Sequence, residues 1–262
     1  PGYTPPATFL DWPAHGDPAL NQAFYLAPFE DVDQDGSYNP LNGDYPKIRG
    51  DQSIWMVYND KGNTGGGGAT PIGLEIQTEA FAYASNDELN NMTFYQHTLI
   101  NRSSIRLDST FMGQWVDTDI GNYADDYVGC DVPRGLGICY NGDNDDEGVL
   151  GYGLNPPSIG VDYFEGPFSD AFNGLDDDRD CLVDEIDTFS CDAEAKTERM
   201  IMSRFVYYNG DGSVTGEPSR ATQAYNYMTG KWKDGVRMIY GGNGYPGSTG
   251  STNLAADMMF PG

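Results

Sequence analysis

The chain contains a short run of residues whose types and spacing suit the binding of a hard cation. Asp31, Asp33 and Asp35 occupy alternate positions, and Gly36 and Ser37 follow them. In calcium-binding loops the first, third and fifth residues supply side-chain oxygens, the sixth turns sharply and the seventh offers its carbonyl oxygen. Oxygen ligands with no His or Cys nearby in sequence favour Ca²⁺ over zinc or copper. The predicted calcium ligands of this first site are Asp31, Asp33, Asp35, Ser37 and Asp44.

Two further acidic runs predict more cation sites. Residues 176–185 repeat the alternation without the glycine, and the predicted ligands there are Asp176, Asp178, Asp180, Leu182, Asp184 and Glu185. Residues 141–147 predict a third site, with a solvated acidic turn as the alternative. Its predicted ligands are Asn141, Asp143 and Asp145.

The acidic residues of the segment 117–126 leave three interpretations open. They are Asp117, Asp119, Asp125 and Asp126. These side chains suit a further metal cluster, a catalytic carboxylate pair, or turn caps, because Asp side chains bond readily to their own backbone in turns. The sequence alone does not choose among them.

The net charge of the chain supports a structural role for cations. There are 40 acidic residues against 14 basic ones, which gives a formal charge of −26. Self-repulsion of this size opposes compaction unless cations are bound. Two Ca²⁺ ions would reduce the charge to −22 and would cancel the charges that lie closest together. The same charge excludes nucleic acid as a partner, because phosphate contacts require clustered Lys and Arg.

The elements that must position these residues are predicted to be strands. The 262 residues include 34 Gly, 16 Pro, 18 Tyr and 12 Phe, which suits many short strands joined by turns. Alternating or β-branched patterns predict strands, and one helix is predicted at residues 221–231. The predicted strands are residues 53–58, 73–83, 92–101, 109–116 and 198–208. We predict an all-β fold: an antiparallel β-sandwich, jelly-roll-like, with long calcium-ordered loops and little helix.

The organisation predicted from this pattern is one domain. Residues 1–262 form a single β-sandwich with an extended lead-in at residues 1–30 and acidic loop insertions at residues 117–192. We expect the chain to be part of a longer protein. No apolar run approaches the roughly 18 residues that span a bilayer, so no transmembrane segment is expected.

The four cysteines fall into two pairs that are close in sequence. They are Cys130 with Cys139 and Cys181 with Cys191. Three connectivities can be drawn, and we predict the local one, with four reduced thiols as the alternative. Disulfides would indicate an oxidising compartment outside the cell. The spacing of each pair does not match a zinc knuckle.

Signals for catalysis are weak, and those for sugar binding rest on one tryptophan. His15 lies in a Pro/Gly turn and His97 on a predicted strand, and we interpret both as structural. No enzyme activity is predicted, and a glycoside hydrolase is the less favoured alternative. Trp55 and Trp115 fall in apolar strand patterns typical of a core. Trp232, between two lysines, is predicted to be exposed and able to stack on a glycan.

Several longer motifs resemble large secreted proteins of Bacteroidota and related phyla. The motifs are residues 43–52, 58–60, 114–119, 125–131, 139–143, 151–157, 164–167, 230–235, 240–244 and 260–262. Those proteins carry C-terminal sorting domains for type IX secretion and surface attachment. The acidic run at residues 176–185 is likewise similar to thrombospondin type 3 calcium repeats. The resemblance implies export and calcium binding, and it implies no established reaction.

These observations together predict a secreted, calcium-stabilised protein of the cell surface or the extracellular space. Its expected partners are copies of itself, in a filament or surface layer, or other cell-surface components. The extended lead-in offers one route to such assembly, by adding a strand to another copy. A carbohydrate-binding adhesin module is the alternative function, with glycans as its partner. O-glycosylation is predicted at Ser109 or Thr110.

Overall fold

The computed structural model describes residues 4–62, 67–169, 174–176, 183 and 199–260. Contacts divide the chain into two compact units, Pro1–Asp108 and Ser109–Gly262. The regular structure is mostly strands in antiparallel sheets, so the predicted all-β class is confirmed. In the described part of the chain, no helix is both long enough and apolar enough to cross a bilayer.

Unit 1 is built around a three-stranded antiparallel sheet. Its strands are β3 (Gln52–Asn59), β4 (Leu74–Ala82) and β5 (Phe94–Asn101), in the order β3-β4-β5. The predicted strands at residues 53–58, 73–83 and 92–101 are therefore confirmed. A smaller pair, β1 (Phe29–Glu30) with β2 (Tyr45–Pro46), precedes this sheet in the chain. Short helical turns occur at α1 (Ala7–Leu10) and in the 3₁₀ turns Pro18–Leu20 and Glu88–Asn91.

One face of the β3-β4-β5 sheet contains two largely buried glutamates, each paired with an exposed arginine. Glu79 is 8% exposed and accepts hydrogen bonds from Arg49 and Ser53. Burial by itself would raise the pKa of Glu79, but these donors outweigh it and the pKa is lowered. Glu75 accepts two bonds from the Arg102 guanidinium, at 2.9 and 3.1 Å, and that pairing lowers its pKa.

The opposite face of the same sheet is apolar and exposed. The register aligns Ile54 with Ala80 and Tyr95, Met56 with Thr78 and His97, and Tyr58 with Ile76 and Leu99. Residues opposite one another across a ladder project from the same face, so these nine side chains form one surface. Tyr95 is 63% exposed and Ile54 is 56% exposed. We call this surface the open sheet face.

Unit 2 combines a second three-stranded sheet with an irregular C-terminal region. The sheet contains β6 (Asp126–Asp131), β7 (Leu136–Asn141) and β10 (Ser158–Asp162), in the order β10-β7-β6. Strands β8 (Asp145–Asp146) and β9 (Gly153–Leu154) form a separate pair. Helix α2 (Ala221–Met228) confirms the predicted helix.

Two predicted strands of unit 2 are wrong. Residues 109–116 form no strand, and Trp115, predicted to be core, is 62% exposed. The described part of residues 198–208 contains only isolated bridges, Phe168 with Arg199 and Phe205 with Met258. A strand requires a partner along its whole length, and the alternating pattern of a segment does not supply one.

The core of unit 2 surrounds Trp232. Its buried members are Tyr227, Trp232, Met238, Ala256 and Met259. Trp232 is 1% exposed, packs edge-to-face on Tyr227, and donates from Nε1 to the carbonyl oxygen of Gly244 at 2.7 Å. The prediction that Trp232 is an exposed sugar-stacking residue is therefore wrong. The Lys231–Arg237 bridge begins a tight turn that directs the indole inward between its two lysine neighbours.

Truncation of Trp232 should destabilise unit 2 strongly. We expect Trp232→Ala to lower the free energy of unfolding by about 3–5 kcal/mol, because it leaves a large cavity and removes the hydrogen bond from Nε1 to the Gly244 carbonyl oxygen. Urea unfolding followed by circular dichroism measures the change. The matched control is Trp115→Ala, the same truncation at an exposed position, which should cost less than about 1 kcal/mol. Equal effects of the two variants would contradict the assignment of Trp232 to the core.

The stability of unit 1 should depend on the ionisation of Glu75. Its pKa in the folded chain lies below the ordinary value of 4.5, so the unfolded chain binds more protons in the interval between the two values. The stabilisation is complete above the unfolded-state pKa and is lost as the pH falls through the folded-state pKa. Urea unfolding at pH steps from roughly 3 to 7 should show a shallower acid slope for Glu75→Gln than for the wild type. Glu88→Gln, at an exposed glutamate, should keep the wild-type slope.

Candidate metal centre

A short ladder closes the predicted calcium loop at its base. Strands β1 and β2 pair Phe29 with Pro46 and Glu30 with Tyr45, and they flank residues 31–44 directly. A Lys47–Glu30 ion pair with an N–O distance of 3.1 Å lies at the same base. The ladder holds the two ends of the loop together, so residues far apart within it come close in space.

The first half of the loop turns as the sequence predicts. Gln34 and Gly36 have positive φ angles of 61° and 79°, a conformation that glycine adopts without strain. The turn directs backbone amides at Asp31, whose Oδ2 accepts from Gly36 at 2.8 Å and whose Oδ1 accepts from Asp35 at 3.3 Å. The carboxylate of Asp31 is therefore fixed in orientation.

Asp44 completes the site from the second half of the loop. It is 2% exposed, and its two oxygens accept from the amides of Val32, at 2.9 Å, and Asn39, at 2.8 Å. One carboxylate oxygen each from Asp31, Asp33 and Asp44 lies within 4.8 Å of the others. No ion pair of the described residues involves these three aspartates.

The geometry of this cluster suits a hard divalent cation. Two oxygens bound to one Ca²⁺ at about 2.4 Å can be no more than about 5 Å apart, and the cluster satisfies this limit. Three carboxylates so close together repel one another unless a cation lies between them. Asp35 is outside the cluster, and its Oδ1 accepts from the Ser37 amide at 2.7 Å. Of the five predicted ligands, the structure brings together Asp31, Asp33 and Asp44.

The lead-in packs against this loop and is not extended. His15 forms a bridge with Tyr25, and its ring stacks on Phe24 with 4.3 Å between ring centroids. Its Nε2 accepts from the Tyr38 amide at 2.8 Å, and its Nδ1 lies 3.2 Å from the Phe24 carbonyl oxygen. His15 therefore links the lead-in to the loop through backbone contacts. His97, the other histidine, lies on the open sheet face beside Tyr95.

The other two predicted cation sites have different outcomes. In the second, Asp176 is the one predicted ligand inside the described residues, and Asp178, Asp180, Leu182, Asp184 and Glu185 lie outside them. In the third, the predicted ligands differ in burial, and the site stays a prediction. Asn141 is buried, whereas Asp143 and Asp145 are exposed, and Asp143 Oδ1 accepts from the Asp145 amide at 2.8 Å.

Buried Asp146 is a residue that the sequence patterns did not single out. It is 1% exposed, and its oxygens accept from the amides of Asn122, at 3.0 Å, and Tyr152, at 2.7 Å. It ties the segment 117–126 to the β8–β9 pair. Its sequence context, the fourth of five consecutive polar residues, does not distinguish it from its exposed neighbour Asp145.

The predicted Cys130–Cys139 disulfide is wrong, because both thiols are free and buried. The β6–β7 register places Cys130 opposite Gly137 and Cys139 opposite Val128. The two cysteines are therefore diagonal neighbours, at a separation typically beyond that of a disulfide. Their thiols lie against different carbonyl oxygens, of Met259 and Thr118. Cys181 and Cys191 lie outside the described residues.

The predicted glycosylation positions are on the surface. Ser109 and Thr110 are both exposed, at the start of unit 2. The Ser109 carbonyl oxygen accepts from the Tyr225 hydroxyl at 3.1 Å. Modification of Ser109 or Thr110 stays a prediction.

Comparison with models of known protein families gives no match for this chain. Comparisons with curated proteins and with solved structures give no match either. The resemblance to type IX secreted surface proteins therefore stays a prediction from sequence motifs. The features of the chain that bear on function are the Asp31–Asp33–Asp44 cluster and the open sheet face.

Proposed function

We propose that this chain is a secreted, calcium-stabilised structural element of the cell surface or extracellular space, which assembles with copies of itself. The observation on which the proposal chiefly depends is the cluster of Asp31, Asp33 and Asp44. Its three oxygens suit one Ca²⁺, and its protein partners are backbone amides and the side-chain amide of Asn42, which orient the carboxylates without neutralising their charge.

Calcium in this cluster would act on stability. The loop it closes joins the lead-in to the rest of unit 1, through His15, Tyr38 and the β1–β2 ladder. An ion that binds the folded chain alone stabilises it by about 2.7 kcal/mol at a concentration one hundred times its Kd. For a chain of net charge −26, the ion also relieves repulsion among close carboxylates.

The open sheet face supports assembly with a second copy. Five of its six large apolar side chains are each at least 40% exposed, namely Ile54, Met56, Tyr58, Tyr95 and Leu99, and the sixth, Ile76, is partly buried. A three-stranded sheet needs its apolar face covered to be stable. The same face of a second copy is its natural complement, because a two-fold axis places equal apolar surfaces together. Two such sheets packed face to face would complete the predicted β-sandwich across the interface.

The sheet edges offer a second route to growth. Among the described residues, β3 and β5 have no strand paired to their outer edges. Unpaired edges of this kind accept a strand from another chain. Pairing at an edge and stacking of faces act in different directions, so together they could extend an assembly beyond a dimer. The alternative function, carbohydrate binding, depended on Trp232 as an exposed residue that stacks on a sugar ring, and Trp232 is buried.

Removal of calcium should lower the stability of the chain. We expect Ca²⁺ to raise the midpoint of thermal unfolding relative to chelator-treated protein. Asp31→Asn should reduce this gain, because it removes a ligand charge. Differential scanning calorimetry with CaCl₂, MgCl₂ and chelator measures the effect. The matched control is Asp108→Asn, which removes the same charge in unit 1 from an exposed residue outside the cluster. An equal midpoint with chelator and with Ca²⁺ would disprove the proposal.

Substitution on the open sheet face should break the assembly. We expect the wild type with Ca²⁺ to sediment as a dimer or larger species at high concentration. Tyr95→Lys should shift it to monomer, because a charge would be buried at the interface. Gln96→Lys is the matched control, since this exposed neighbour on β5 projects from the other face. Sedimentation of the wild type as a monomer at every concentration would contradict self-assembly.

A further inference from the structure

A single histidine lies among the uncharged side chains of the open sheet face. His97 is exposed and lies on β5 between Tyr95 and Leu99, which project from the same face. The other eight residues of this face are apolar, aromatic or hydroxyl-bearing, and none of them is Asp, Glu, Lys or Arg. Histidine is the side chain that ordinarily gains a charge between roughly pH 5 and 8. The open sheet face can therefore change from uncharged to cationic at one position.

The ring of His97 leans over the central strand of the sheet. Its Nδ1 is 2.9 Å from Oγ1 of Thr78, the residue directly opposite it on β4. Oγ1 of Thr78 is also 3.5 Å from the hydroxyl oxygen of Tyr58 on β3. Thr78 is 3% exposed although its face is open, so the side chains beside it cover it. A partner sheet that covers this face would therefore also cover the imidazole.

The groups that face His97 come from all three strands, and none of them carries a compensating charge. β3 contributes Met56 and Tyr58, and β4 contributes Thr78. β5 contributes Tyr95, whose ring is parallel to the imidazole with 6.4 Å between ring centroids. Tyrosine and threonine hydroxyls are uncharged near neutral pH. The two glutamates of β4 project from the opposite face, where each pairs with an arginine.

Either protonation state of His97 suits the single chain. The hydroxyl of Thr78 can donate to a bare Nδ1 or accept from a protonated one, and the exposed ring stays hydrated. Packing against a second copy removes that hydration, and burial disfavours the charged form of a histidine. A two-fold axis places both copies of His97 in one interface, so two cations would be desolvated together. Protonation is therefore opposed in the pair and tolerated in the single chain.

We propose that pH controls the pairing of two copies through the open sheet face, with His97 as the sensor. This inference rests on the self-assembly proposed above. The pair forms while both imidazoles are neutral and separates when they gain protons. Because the single chain binds more protons than the pair in this range, association weakens as the pH falls. Uptake of one proton per copy raises the Kd of the pair by up to about 100-fold per pH unit.

Sedimentation of the 262-residue chain with CaCl₂ tests this control at about pH 7.5 and about pH 5.5, on either side of the ordinary histidine titration. For the wild type, we expect the Kd of the pair to rise at least about tenfold at the lower pH. His97→Gln can still bond to Thr78 and stays uncharged, so it should pair equally at both pH values. The matched variant His97→Gln/Gln96→His moves the imidazole by one residue to the other face of β5, and it should also pair equally at both.

The outcomes separate the pH control from the self-assembly itself. Equal Kd values of the wild type at the two pH values would overturn the control by His97 and leave the self-assembly intact. An equal rise of the Kd in the wild type and in His97→Gln would also overturn it. A wild type that is monomeric at both pH values would overturn both proposals. The substituted positions are exposed, and circular dichroism at each pH checks that the variants stay folded.

Discussion

Buried carboxylates organise both units of this chain, because an ionised oxygen removed from water must be met by donors or by a cation. Glu79 is met by Arg49 and Ser53, and Asp146 by two backbone amides. Asp44 is met by the amides of Val32 and Asn39. Each of these carboxylates joins segments that are distant in the sequence, through hydrogen bonds or an ion pair.

The chain has 14 basic residues against 40 acidic ones, so few cationic side chains are present to pair with its carboxylates. Arginine neutralises the two glutamates of β4, whereas the loop aspartates receive backbone amides, which orient an oxygen without cancelling its charge. Where carboxylates lie close together and only amides donate to them, a divalent ion would neutralise the charge that remains. The Asp31 loop meets this condition.

The parts of the fold that could be predicted from sequence are those specified locally. Strands β3, β4 and β5 have clear alternation and strong β-formers, and helix α2 has its apolar residues on one face. The Asp31 loop follows from ligand spacing and Gly36. The position of Asp44 in this loop depends on the β1–β2 ladder. Strands of two residues are too short to give a recognisable sequence pattern.

The errors arise where long-range packing decides the outcome. Trp115 and Trp232 exchange their expected environments, because the chain around residues 205–259 folds over Trp232 and no strand pairs with residues 109–116. Spacing suggested a bridge between Cys130 and Cys139, but only the hairpin register shows that they are diagonal. The third predicted site stays a prediction; its ligands differ in burial, with Asn141 buried and Asp143 and Asp145 exposed.

The free thiols of the β6–β7 hairpin have a consequence for how that hairpin can be made. Its register is encoded in ladder hydrogen bonds and in the fit of Cys130 and Cys139 against neighbouring carbonyl groups, with no covalent clip between its strands. Folding of this hairpin therefore requires neither an oxidant nor a disulfide isomerase.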